Sequence, residues 1–405
     1  MQLEAVFHYG ELNMRIWMSL IISITMIVIS SQPSFAAPDQ IPVVNNHHLL
    51  PGEIVAEAAG YPAIVKFLLG DRNKPLIVFI PGNGFLARIA YGYPGGQEKD
   101  FISYWLNKSG YSFLGISYPI EHPVFNKIYP SFSIKDWGMQ AAELAKQYID
   151  QNHLSNKVIY IGWSMGGKTA EAVNSASKKL GLNVIMFISF DGLVPAPNVF
   201  AGSAEAIKLK NNNMVDFSFA TPFFIDSMSI QNKINSHVII SPTSLEKYFI
   251  GSPSLNIQGE KLRYVNGKII DSIDASISDS GTFDFGQFPW VVIMHGSDPI
   301  DYPHIIINTN WGLFMGQKIY REYIFPNAAA IPNCPPSTWR EITKIFNNYQ
   351  QSVSLPINGT HFFFVGEKGA KEAAENIPVL QERLSHIQTK LTQLINNCVQ
   401  AKKNN

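Results

Sequence analysis

Residues 159–167, Ile-Tyr-Ile-Gly-Trp-Ser-Met-Gly-Gly, constrain the fold more than any other part of the chain. An apolar run suited to a buried strand ends in Gly-x-Ser-x-Gly and leads into a segment of helical composition reaching about Leu180. A strand that turns into a helix this abruptly crowds the positions two before and two after its tip, so glycine is favoured there. Ser164 sits at that tip, where the N-terminus of the following helix favours developing negative charge.

The flanking sequence alternates in kind. Residues 63–69, 76–80, 111–118, 157–162 and 183–190 read as strands, and the second of these is apolar throughout. Between them, residues 98–108 and 133–153 read as helices, the longer one with Ser133 as N-cap and Asp136 completing an approximate capping box. Continuous apolar strands separated by helices predict a mostly parallel sheet covered on both faces. The stretch before about Pro51 reads as a loose lead-in.

The rhythm stops after Asp191. Residues 192–288 are rich in Ser, Asn, Pro and Phe and read as a lid or insertion, with a hairpin signal at Asn266-Gly267. Residues 289–294 resume the sheet. A second irregular stretch, residues 301–336, reads as another insertion. A helix over 337–350, a short strand near Val353 and an amphipathic helix over 373–398 close the chain.

Hydrophobic residues make up 46% of the sequence and charged residues 15%, which predicts a sizeable core. Lys plus Arg and Asp plus Glu each number 31, leaving no basic surplus for nucleic acid. Residues 14–36 read as a secretory signal: Arg15, an apolar run, then Ser34-Phe35-Ala36 with small residues at the cleavage positions. That run is too short for a stable membrane span, so an exported protein, periplasmic or secreted, is expected. The two cysteines, Cys334 and Cys398, allow one intramolecular pairing, which an oxidising destination favours.

Two chemistries compete for the glycine-flanked serine. Residues 162–169 also match Gly-x4-Gly-Lys-Thr, in which Lys168 would meet nucleotide phosphates and Thr169 would hold magnesium. That reading leaves the later motifs unexplained. Leu76–Ile80 is followed by Pro81-Gly82-Asn83-Gly84, the apolar run 291–294 by His295-Gly296-Ser297-Asp298, and Asn358-Gly359-Thr360 by His361.

Taken together these motifs resemble the α/β-hydrolase superfamily over residues 54–191 and 289–398. The resemblance implies an α/β-hydrolase fold with a lid insertion and Ser164 as nucleophile. His361 would be general base, and Asp298 the acid, with Asp191 and Asp301 as alternatives. It places the oxyanion hole at the N–H groups of Asn83 (or Gly84) and Met165. The expected activity is hydrolysis of an ester or other acyl bond in a small-molecule or lipid-like substrate, with serine peptidase as a variant, and without metal or organic cofactor.

Overall fold

A computed structural model describes residues 44–200 and 207–404, all within one compact unit, Pro42–Asn405. The expected signal segment at residues 14–36 lies outside the described residues. Ten strands run in chain order: β1 (Glu53–Ala58), β2 (Tyr61–Leu68), β3 (Leu76–Ile80), β4 (Ser112–Ser117), β5 (Lys157–Trp163), β6 (Asn183–Phe190), β7 (Leu262–Val265), β8 (Lys268–Asp271), β9 (Val291–Gly296) and β10 (Ser354–Ile357). Eight of them form one sheet in the order β1-β2-β4-β3-β5-β6-β9-β10. Strands β1 and β2 form an antiparallel hairpin, β2 is antiparallel to β4, and every other pairing in the sheet is parallel.

The apolar runs explain this order. All five residues of β3 are fully buried, and so are all but the first of β5, as a parallel sheet covered on two sides requires. Helix Ile134–Asn152 packs on helix Ala170–Lys179 and against β3, whereas Ile102–Lys108 and Glu367–Asn404 pack together and against β4, β9 and β10. Ser133 caps the Ile134–Asn152 helix in a full capping box with Asp136. The Asn266-Gly267 hairpin joins β7 to β8 in a separate two-stranded ribbon, with both turn residues left-handed (φ 50° and 82°).

Three elements differ from expectation. Strand β1 falls where the lead-in gives way to the fold; it pairs with β2 through a left-handed Ala59-Gly60 turn (φ 53° and 77°). Its six residues, Glu-Ile-Val-Ala-Glu-Ala, do not alternate cleanly because β1 is an edge strand with three exposed positions. The helix expected over 98–108 breaks at Phe101, whose backbone bridges to Val365. Much of the stretch 301–336 is helical, with α-helices Tyr302–Ile307 and Trp311–Ile319 and a π-turn at Tyr320–Ile324. Its buried Trp311, Phe314, Met315 and Ile319 follow helical spacing, hidden in the sequence by neighbouring Gly312, Gly316 and asparagines.

Cys334 and Cys398 are joined by a disulfide, their Cα atoms 4.2 Å apart and 64 residues distant in sequence. Cys398 is buried beside Ile342 and Ile395, so the bond fixes the last helix to the segment preceding Pro336–Ser352. Chain-entropy arithmetic for a loop of this size gives about 4 kcal/mol. Cys334→Ser is expected to lower the unfolding midpoint in a non-reducing thermal melt by an amount that added reductant reproduces in the parent protein. An unchanged midpoint would mean that the two thiols are not bonded in solution.

Candidate active site

The turn after β5 is built as its glycines predict. A Cβ on Gly162 would lie 2.3 Å from the Phe187 ring, and one on Gly166 would lie 2.6 Å from the Ile80 carbonyl oxygen. Ser164 between them adopts φ 53°, a left-handed conformation that costs a non-glycine residue on the order of 1–3 kcal/mol. The surrounding strands hold it there, and the Leu193 N–H donates to the Ser164 carbonyl at 2.8 Å. Ser164 faces a cavity of about 320 Å³. Its wall is largely apolar, with Phe200, Phe217, Phe223 and Phe224 prominent.

The loop after β3 closes over the same serine. A Cβ on Gly82 would come within 3.0 Å of Ser164 Cβ, so glycine is what lets the loop approach. The Gly84 N–H donates to Tyr118 Oη at 2.8 Å, and Tyr118 Oη donates to the Gly82 carbonyl at 3.1 Å. Gly84 is thereby engaged, whereas Asn83 and Met165 border the cavity beside Ser164. The Asn83 side-chain amide pairs reciprocally with that of Gln258, at 2.9 and 3.0 Å. Segment 249–251 adds backbone contacts to this loop: Leu86 N–H donates to Phe249 O, Gly251 N–H donates to Gly84 O, and Phe85 bridges Ile250.

At the end of β9 the carboxylate against His361 is that of Asp301. Its Oδ2 lies 2.9 Å from His361 Nδ1. Asp298, which the sequence favours as the acid, instead acts on the backbone. Its Oδ1 accepts the Ile300 N–H at 3.0 Å, capping the short turn Pro299–Asp301. That turn carries Asp301 inward to complete burial. Asp191 ends β6 with φ 44° and accepts from the Gly296 N–H (3.0 Å) and Asn308 Nδ2 (3.1 Å), bracing the end of β9.

His361 is fully buried near the rings of Trp163, Phe223 and Phe224, and its Nε2 has no hydrogen-bond partner. Trp163 Nε1–H donates to the His361 carbonyl at 3.0 Å, fixing the loop to the elbow strand. Burial pushes the imidazole pKa down, Asp301 counters, and His304 pushes it down further. Burial alone would raise the Asp301 pKa, but the two imidazoles hold it well below the usual carboxylate range. Asp191 goes the other way, raised well above that range by burial and then by the Asp301 charge.

His304 is not favoured by the sequence because it follows the acid so closely. Its Nδ1 lies 2.5 Å from Asp301 Oδ1, and its ring centroid is 4.1 Å from that of His361. The Asp-x-x-His spacing is the signal that points to it, since residues three apart share one side of a helical turn. Among the described residues, Asp301, His304 and His361 bring potential metal-ligand atoms within 4.8 Å of one another. Hydrogen bonding to one carboxylate accounts for that clustering without an ion.

The phosphate-loop residues are engaged by the protein itself. Lys168 Nζ donates to the Gln258 carbonyl at 2.6 Å and lies 3.4 Å from Glu260 Oε1, both partners buried. Thr169 Oγ1 donates to the Gly166 carbonyl at 2.7 Å. Both side chains are thus committed to partners within the protein.

No family model and no curated protein matches the sequence. Solved structures similar to it include an AqdC variant, described in ring cleavage of the Pseudomonas quinolone signal, at 11% identity and TM-score 0.45, covering 82% of this chain and 99% of that one. A thermophilic esterase from Thermogutta terrifontis is similar at 11% identity and TM-score 0.42, covering 83% and 98%. A bromoperoxidase from Bacillus anthracis is similar at 12% identity and TM-score 0.40, covering 82% and 99%. The assignment of fold stands on the chain's own sheet and turn. With a mostly parallel eight-stranded sheet, an antiparallel second strand, and a left-handed serine between β5 and its helix, the chain has the α/β-hydrolase fold.

Proposed function

We propose that this protein is an exported serine hydrolase that cleaves an ester or other acyl bond through Ser164, His361 and Asp301. The observation that carries the reading is a strained serine bordering a cavity, with a carboxylate-bound histidine, His361, buried against Trp163 beside it. The carboxylate accepts from His361 Nδ1–H, which leaves Nε2 as the basic nitrogen, buried and without a partner. In the substrate complex Nε2 closes on Ser164 Oγ, a bond that commonly tightens only when substrate is seated.

The reaction then follows from the parts. Ser164 Oγ attacks the carbonyl carbon while its proton passes to His361 Nε2. The carbonyl electron pair moves onto oxygen, which accepts from the backbone N–H groups of Asn83 and Met165. Collapse of this intermediate expels the alcohol oxygen, which takes the proton from His361, and leaves an acyl-Ser164. Water repeats the cycle with the acyl group and releases a carboxylic acid. Phe200, Phe217, Phe219, Phe223 and Phe224 provide the aromatic cover of the cavity, which suits an apolar acyl or alcohol group.

Treatment with a fluorophosphonate, followed by peptide mapping, is expected to place the adduct on Ser164. Failure of Ser164 to label, in protein that is folded by circular dichroism, would overturn the proposal.

The buried imidazole also sets the pH dependence. His361 must be neutral to accept the serine proton, and burial lowers its pKa from the ordinary value of about 6.5. The acid limb of kcat/KM is therefore expected at a midpoint below about 6.5, with activity lost as pH falls through it. A midpoint above that value in the parent protein would contradict the assignment of His361 as base.

A further inference from the structure

We infer that His304 is a specificity residue of this site, whose outer ring nitrogen accepts a hydrogen bond from a hydroxyl or N–H group of the substrate close to the scissile carbonyl. The inference rests on the proposed hydrolase reading and narrows its substrate class to apolar acyl compounds that carry such a donor.

One carboxylate serves two imidazoles. Asp301 Oδ2 meets His361 Nδ1 and Oδ1 meets His304 Nδ1, at 2.9 and 2.5 Å. An ionised carboxylate only accepts, so both Nδ1 atoms carry hydrogen, and in the neutral form of such a ring Nε2 is the acceptor. The two rings differ in what they face. His361 is buried against the elbow, whereas His304 borders the cavity together with Ser164.

The other polar side chains on the cavity wall already have partners. Asn83 and Gln258 pair reciprocally through their amides, and Lys168 is engaged by the Gln258 carbonyl and Glu260. Glu260 in turn accepts the Asn198 N–H at 2.9 Å. With Nδ1 committed to Asp301, Nε2 is the polar atom His304 has to offer. The Phe200 and Phe223 rings lie 5.2 and 6.2 Å from the His304 ring. An acceptor set among aromatic rings discriminates strongly, because a substrate lacking the donor displaces water from it and leaves it unpaired.

The test uses the intact exported protein and two matched pairs of 4-nitrophenyl esters. These are phenylacetate with mandelate, and 3-phenylpropanoate with 3-hydroxy-3-phenylpropanoate. In the parent protein, the hydroxylated member of at least one pair is expected to be favoured about 10- to 100-fold in kcat/KM. In His304→Phe that ratio is expected to fall to near one, whatever happens to absolute rates, since a general loss of activity moves both members together. Absence of discrimination in the parent, survival of the ratio in His304→Phe, or turnover of none of the four esters would each overturn the inference. The parent ratio needs no variant, so a misfolded His304→Phe leaves that arm decisive. Fluorophosphonate labelling of Ser164 run alongside separates the two levels, because an inert Ser164 would instead remove the hydrolase reading.

Discussion

Ser164→Ala is expected to abolish ester hydrolysis, with a loss on the order of 10⁶-fold in kcat, the scale for the nucleophile of a comparable triad. The substitution removes one oxygen and keeps the Cβ, so the left-handed turn and its glycine neighbours remain as they are. Circular dichroism and the thermal midpoint should therefore match the parent. His361→Ala should be nearly as severe, because it removes the proposed base, the imidazole bonded to Asp301 and buried against the elbow. The two losses should also fail to add in the double variant, since either change alone removes the attacking alkoxide. Turnover in Ser164→Ala above the trace expected from the oxyanion donors alone would end the case for a serine nucleophile.

The second large effect concerns the acid. Asp301→Asn is expected to cost about 10⁴-fold in kcat, because an amide in that place no longer selects the Nδ1–H tautomer of His361 or balances the imidazolium. Asp298→Asn should fall within a few-fold of the parent, since asparagine still accepts the Ile300 N–H. Asp191→Asn should also be mild: burial and the Asp301 charge favour its uncharged form, which an amide resembles in shape and charge. Steady-state kinetics on the three variants would reverse the assignment if Asp298→Asn or Asp191→Asn proved the most damaging.

Much of this site is legible in the sequence, for a physical reason. The turn after β5 leaves so little room that two glycines must flank Ser164, and His361 follows a turn of small polar residues; local crowding writes itself into local sequence. The acid is harder to place. Whether Asp298 or Asp301 turns inward depends on which one caps the Pro299–Asp301 turn, and the start of that turn is held by a residue distant in sequence, since the Ser297 and Asp298 N–H groups donate to the Gly359 carbonyl in the His361 loop. His304 is hidden for the same reason, since its partner is shared with a residue nearly sixty positions away. Strand β1 is hard to see because an edge strand with exposed residues on both sides carries little periodicity. The helices at Tyr302–Ile307 and Trp311–Ile319 are obscured because their glycines and asparagines are poor helix formers that tertiary burial overrides.

The bonds between segment 249–251 and the loop after β3 bear on how traffic through the cavity is controlled. Two backbone hydrogen bonds and the Asn83–Gln258 amide pair tie segment 249–251 and Gln258 to the loop after β3, the loop proposed to receive the oxyanion. Under the proposed hydrolase reading, moving that segment would disturb the loop that is to receive the oxyanion. The side chains bordering the cavity include the half-exposed Phe219, and an exposed side chain rotates in picoseconds to nanoseconds, much faster than a segment swings. If the proposed hydrolase admits its substrate past such side chains alone, its rate is expected to rise smoothly with substrate concentration, with no threshold at the onset of aggregation of an amphiphilic ester.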